Sequence, residues 1–177
     1  HLKTISNSFS ETLNNLNEII HTQNISDIEQ VKLNLYSCII KVLSSIDTQI
    51  QESSATIHNH IDPKVLLLGN PAYIESILVN LVTNAIKYKH PHRSPIINIS
   101  CTTSYCGVEL IISDNGLGID LEKHGQDLFG MYKTFHGNKD ARGIGLYITK
   151  YQIDTMGGDI KVESEVNKGS KFIVYFK

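Results

Sequence analysis

The chain has 177 residues, 41% of them apolar, enough for one domain, or one domain with a helical arm, that buries about 70% of its unfolded surface without a disulfide or metal staple. Sixteen Lys and Arg against eighteen Asp and Glu leave a net charge of −2, which argues against a general nucleic-acid binder with its basic excess. No apolar run approaches the ~18 residues that span a bilayer, and three cysteines, Cys38, Cys101 and Cys106, are too few and too odd in number for a secreted disulfide framework.

In chain order, Leu2, Ile5, Phe9, Leu13, Leu16 and Ile20 recur at steps of three and four. This narrow stripe of a bundle or coiled-coil seam predicts a long helix over residues 2 to about 23. Little beside it can bury the stripe, so a partner helix is expected, from upstream or from a second chain; packing on the chain's own domain is the alternative. The chain starts at His1-Leu2-Lys3-Thr4, with neither a signal pattern nor an initiator Met, and is expected to be a piece of a longer protein. Residues 24–30 read as a polar linker. Residues 31–33 alternate as a short strand, and Asn34 caps a helix from Leu35 to about Gln51. Strands are expected at 55–61 and 66–68. Asn70-Pro71 then opens a helix to about Lys89, which His90-Pro91-His92 stops. Residues 96–103 and 108–113 read as two strands joined near Cys106-Gly107. Cys101 and Cys106 fit no common zinc spacing with His90 and His92 and read as small hydrophobes of neighbouring strands. Residues 114–135 are expected to be irregular, with helical pieces around Leu121 and Leu128. A helix from Ile144 to about Met156, capped by Gly157-Gly158, and a strand pair at 159–164 and 171–176 close the chain. The mixed order predicts an α+β fold, one sheet with helices on one face.

Three segments carry chemistry. Asn80 and Asn84 stand at i and i+4 on the helix from Pro71, and Lys87 and Tyr88 extend their face. Asn is a poor helix-interior residue. Amide oxygens suit Mg²⁺, Lys87 suits a phosphate, and Tyr88 suits an apolar ring; two ordinary Asn in an Asn-rich chain is the plainer alternative. Asp114-Asn115-Gly116-Leu117-Gly118-Ile119 follows an apolar strand. A carboxylate at such a place needs a partner, and an adenine amine would serve; a tight turn is the alternative, and Gly116 and Gly118 suit both. Arg142-Gly143-Ile144-Gly145-Leu146 sets glycines at a helix start, where backbone N–H groups favour phosphate. It is neither a Walker loop nor a dinucleotide fingerprint.

Together these segments resemble the catalytic, ATP-binding domain of sensor histidine kinases, in the superfamily of gyrase and the heat-shock-90 chaperones. Residues 78–88 (LVNLVTNAIKY) resemble the N box, residues 114–118 (DNGLG) the first glycine box, and residues 128–132 (LFGMY) the phenylalanine box. Residues 142–146 (RGIGL) resemble the second glycine box and residues 169–172 (GSKF) the last small box. The resemblance covers about residues 31 to 177. Residues 1–30 are similar to the second helix of the family's dimerisation and phosphotransfer hairpin with its linker, and residues 132–143 resemble kinases that carry PAS sensor domains.

The resemblance implies a two-layer α/β sandwich of the Bergerat type, with a mixed, mostly antiparallel sheet, preceded by a long N-terminal helix. It implies ATP and Mg²⁺ as ligands. Asp114 would accept from the adenine amine, with Ile119 and Tyr88 around the ring and Gly116, Gly118 and Ser170 framing it. Asn84, helped by Asn80, would bind the metal. Lys87, Arg142 and the amides of Gly143, Ile144, Gly145 and Leu146 would face the phosphates. Residues 121–141 would form a lid anchored by Phe129. Asn80, where hydrolysing relatives carry a Glu base, implies phosphoryl transfer rather than rapid hydrolysis.

Two departures stand out. None of the eight histidines lies in the family's phosphoacceptor pattern, so this chain alone is expected not to phosphorylate itself. Ala141 replaces the first Gly of the second glycine box. The implied partners are the histidine-bearing dimerisation domain of the same protein and the receiver domain of a response regulator, with no nucleic acid. The full-length protein is expected to be a homodimer, cytoplasmic in a bacterium and open to membrane attachment. The alternative is a non-catalytic nucleotide-binding module, a degenerate kinase or anti-sigma-like regulator.

Overall fold

The computed structural model describes residues 29–130 and 144–177. The predicted N-terminal helix, the tip of the expected lid, Arg142 and Gly143 lie outside the described residues. The chain opens with β1 (Val31–Asn34), and Asn34 then caps α1 (Leu35–Ser45) by accepting from the Ser37 N–H at 2.8 Å. α2 (Asp47–Ser53) follows after a break at Ile46, where φ is −110° and ψ is 15°. One helix from Leu35 to about Gln51 was the expectation, because the apolar spacing runs through Ile46 to Ile50. The break falls where the Ser45 hydroxyl turns back on the Val42 carbonyl at 2.7 Å, a local bond that competes with the helical ladder.

Next come β2 (Thr56–Asn59), β3 (Leu66–Gly69), α3 (Pro71–Lys87), β4 (Ile96–Ser104) and β5 (Gly107–Asp114). Asn70 caps α3, accepting from Ala72 and Tyr73 N–H at 3.1 and 3.2 Å, with Pro71 in the first turn where its missing donor costs nothing. A short α4 (Leu121–His124) and a 3₁₀ turn at Gly125–Asp127 follow. α5 (Gly145–Thr155), β6 (Asp159–Glu165) and β7 (Gly169–Phe176) complete the described chain.

Five strands form one sheet in the order β2-β4-β5-β7-β6, antiparallel except for the parallel β2–β4 pair. The expected single sheet is joined by a second: β1 and β3 pair as an antiparallel two-stranded ribbon. Both strands, each four residues long, were expected, but their pairing across two helices and β2 leaves no local mark in a sequence. Cys106 sits exposed in the β4–β5 turn, not in a strand, whereas Cys101 lies half-buried in β4. Among the described residues no group of three or more His, Cys, Asp and Glu is arranged to hold a metal.

The core lies between one sheet face and the helices. Ile97 and Ile99 of β4, Leu110 and Ile112 of β5, and Phe172 and Val174 of β7 meet Ile74, Ile77, Leu78 and Leu81 of α3 and Leu35 and Ile39 of α1. Side chains alternate across a strand, so Asp114 falls on the same row as Leu110 and Ile112, opposite Ile97 in the register. The sheet thus places a carboxylate at the end of its buried row, against the helix layer.

Candidate functional site

Asp114 loses hydration at that position, and burial pushes its carboxyl above the usual carboxylate range. The opposing influences are the Gly116 and Ser170 N–H groups and the positive charge of Arg93. Both N–H groups bond to Oδ1, at 2.7 and 3.3 Å. Oδ2 takes neither of them, which leaves it to accept from an outside donor.

The loop beyond Asp114 is fixed on three sides. Leu117 N–H donates to the Tyr88 carbonyl at the end of α3, and Asn167 N–H in the β6–β7 turn donates to the Leu117 carbonyl, at 2.9 and 2.7 Å. The Ser164 hydroxyl accepts from Ile119 N–H, donates to the Gly169 carbonyl and lies 2.9 Å from the Ser170 hydroxyl, the first two bonds each 2.8 Å long. Gly118 has φ +69°, and a Cβ there would run into the Glu165 carbonyl; only glycine serves both demands. The freedom attributed to this glycine from sequence is used to bring the loop onto β6. Ile119 is buried beside it, and Tyr88 is half-buried, its hydroxyl pushed above its ordinary range by that burial.

Along α3, Asn80 and Asn84 meet as their spacing predicts. Asn84 Nδ2 donates to Asn80 Oδ1 at 3.3 Å, and Asn80 Nδ2 donates to the Thr149 hydroxyl of α5 at 2.6 Å. One turn on, the Lys87 ammonium stands 5.7 Å from the centre of the Tyr88 ring. Gly145 opens α5 directly against Asn80, and a Cβ at that position would clash with the Asn80 amide. Among the described residues no side chain caps this helix start, where the first N–H groups have no intrahelical partner and the positive end of the helix dipole favours negative charge. Ile144 is buried, and Leu146 and Phe129 pack half-buried on the core.

The predicted residues therefore come together in two linked groups. Asp114, Gly116, Gly118, Ile119, Tyr88 and Ser170 surround one loop. Asn80, Asn84 and the start of α5 meet across a helix pair. α3 joins the groups, with Asn80 and Asn84 along it and the Tyr88 carbonyl at its end. Sequence reasoning missed Arg93, Thr149, Ser164 and Asn167. Their bonds run to backbone atoms or to partners distant in sequence, and no spacing announces such a contact.

Residues 69–177 match the family described as "Histidine kinase-, DNA gyrase B-, and HSP90-like ATPase". The sensor protein RprX of Bacteroides fragilis is 27% identical over 83% of this chain and 29% of its own length. The signal transduction histidine-protein kinase BarA of Escherichia coli is 30% identical over 97% of this chain and 20% of its own length. This chain thus spans less than a third of these curated relatives. Among solved structures, the catalytic domain of histidine kinase ThkA superposes with a TM-score of 0.72 at 25% identity, covering 84% of this chain and 97% of that one. The histidine kinase AdeS of Acinetobacter baumannii shares the fold, with a TM-score of 0.76 at 21% identity over 94% of this chain and 77% of that one. The fold, the segments around Asp114 and Asn84, and these likenesses converge: the chain belongs to the histidine kinase-, DNA gyrase B- and HSP90-like ATPase family.

Proposed function

We propose that this chain is the catalytic module of a two-component sensor histidine kinase, binding ATP with Mg²⁺ and transferring the γ-phosphoryl group to a histidine outside the chain. The observation that carries the reading is Asp114. Its Oδ1 is held by Gly116 and Ser170 N–H, so Oδ2 meets an adenine amine, a donor that guanine does not offer at that position. Tyr88 and Ile119 bound the ring.

The asparagines fit a hard cation. Asn84 donates to Asn80 through its amide nitrogen, and its amide oxygen would be the ligand. Asn80 accepts from Asn84 and donates to Thr149, so it aims Asn84 and is itself largely occupied. Asn84, aimed by Asn80, would hold Mg²⁺, which would supply positive charge to offset that of the phosphates. Lys87, Arg142 and the amides of residues 143–146 carry the remaining phosphate charge. In the transfer the bond from the γ-phosphorus to the bridging oxygen breaks, a bond to an imidazole nitrogen forms, and ADP leaves. Asn80 cannot take a proton from water, which favours transfer over hydrolysis.

In the same reading, residues 1–30 form an arm that continues a dimerisation hairpin, and residues 31–177 form the ATP-binding domain. The full-length protein is a homodimer that passes the phosphoryl group to an aspartate of a response regulator. Among the described residues no helix is long and apolar enough to cross a membrane; the site works where ATP is, in the cytoplasm.

The test mixes this chain with a separately made segment of the same protein carrying the histidine hairpin, plus γ-labelled ATP. Acid-labile, base-stable label is expected on the hairpin, and none on this chain incubated alone. Rapid steady-state release of phosphate without transfer would contradict the reading. Nucleotide binding without transfer would put the non-catalytic regulatory module in its place.

A further inference from the structure

Between α3 and β4 the chain crosses His90-Pro91-His92-Arg93-Ser94-Pro95 without regular pairing. Arg93 breaks the irregularity. Its Nε donates to the Asn115 carbonyl at 2.6 Å, and one terminal nitrogen donates to the carbonyls of Gly116 and Asn167 at 2.8 and 2.5 Å. Three carbonyl oxygens from two separate segments thus converge on one guanidinium. Carbonyl dipoles aimed at one point repel each other, and a planar cation with several fixed donors removes the repulsion.

The contact is reinforced from the other side. Asn115 Oδ1 accepts from Ile96 N–H at 2.9 Å, and Asn115 Nδ2 donates to the Ser94 carbonyl at 3.1 Å. Residues 93–96 are therefore laced to residues 115–116 by both partners' side chains. Gly116 supplies one of the N–H groups that hold Asp114 Oδ1, and the turn bearing Asn167 leads into Ser170, which supplies the other. Arg93 grips the carbonyl side of both arms.

The other charged groups beside Asp114 are engaged elsewhere. Glu163, Glu165, Lys168 and Lys171 border a depression with it, but Lys168 pairs with Glu165 at 2.7 Å and Lys171 with Glu163 at 3.0 Å. Arg93 is the cation whose charge helps keep the Asp114 carboxyl ionised.

We propose that Arg93 is the positioning residue of the adenine pocket, clamping the Asn115–Gly116 backbone to the β6–β7 turn so that Asp114 presents Oδ2 in one direction. It acts through Asp114 and does not touch the nucleotide. The inference rests on the ATP reading above and adds to it a residue that orients the base-reading carboxylate.

The experiment titrates the chain, Arg93→Met and Arg93→Lys with two non-hydrolysable triphosphates, one with an adenine base and one with hypoxanthine, which has a 6-oxo group in place of the amine. Circular dichroism checks the fold. The unmodified chain is expected to prefer adenine. Arg93→Met is expected to bind the adenine nucleotide about ten-fold more weakly, the scale of a lost charge-assisted hydrogen bond, with a much smaller change for hypoxanthine. Arg93→Lys keeps the charge but not the fork, and is expected to keep part of the selectivity; should Arg93→Met fail to fold, a selectivity in Arg93→Lys clearly below that of the unmodified chain carries the test. Unchanged selectivity in folded variants, or equal weakening of both nucleotides, overturns the inference and leaves the ATP reading standing. An unmodified chain that binds neither nucleotide, or binds both alike, overturns the pocket reading and this inference with it.

Discussion

Asp114 sits where β5 runs out, on the row of side chains that faces the core, and its carboxyl is held above the usual range by lost hydration. A raised carboxylate pKa means that the fold favours the protonated form. The carboxyl's contribution to stability is therefore complete below the unfolded value of about 3.9, and is lost as pH rises through the raised native value. Asn in its place keeps an oxygen for Gly116 and Ser170 and carries no charge. Urea unfolding at a series of pH values is expected to show Asp114→Asn at least as stable as the parent near neutral pH, without this group's decline across the acidic range. Binding has the opposite sign. Oδ2 must accept from adenine, so affinity falls as Asp114 protonates, and in Asp114→Asn the Oδ2 position becomes an N–H donor facing a donor. Asp114 was legible in the sequence because a carboxylate after an apolar strand, followed by two glycines, poses a local problem of burial. Arg93 was not, because its three partners are carbonyl oxygens and every residue has one.

α3 and α5 work as a pair. α3 buries Ile74, Ile77, Leu78, Leu81, Val82 and Ala85, which frees its flank to carry Asn80 and Asn84. α5 meets that flank with Gly145 and Thr149, the latter 1% exposed. Thr149→Val keeps the shape and removes the acceptor of the Asn80 N–H. A loss of about 1 kcal/mol is expected from the unmade bond, read as a lower urea midpoint with an unchanged slope. The Mg²⁺-dependent part of nucleotide affinity is expected to fall more than the Mg²⁺-independent part, because Asn80 no longer aims Asn84. An unchanged Mg²⁺ dependence would show that Asn80 plays no such role. Legibility at this scale follows the range of the cause. The cap at Asn70, the apolar face of α3, the β4–β5 and β6–β7 hairpins and the glycine stop after α5 are local devices, and all were readable. The break at Ile46 was hidden by an apolar spacing that continues through it, and the β1–β3 ribbon depends on pairing across two helices and β2.

For the whole molecule, one sheet face and three longer helices, α1, α3 and α5, make the core, and the far end of the sheet is left for chemistry. β5 and β7, neighbours in the sheet, deliver Asp114 and Ser170 side by side. α3 delivers the asparagines, and the α5 start lies against them. Four segments distant in sequence thus converge because the sheet order is β2-β4-β5-β7-β6. The α+β class, the layer arrangement and the family were readable from motifs strung along the chain. The two-sheet topology was not, since the parallel β2–β4 pair and the ribbon are decided by packing over long separations. The measurement that bears most directly on the whole account is calorimetric titration of this chain and of Asp114→Asn with a non-hydrolysable ATP analogue, with and without Mg²⁺. The account predicts one site per chain, tighter with Mg²⁺, and no detectable binding in Asp114→Asn. Equal binding by the two proteins, or none by the unmodified chain, would contradict it.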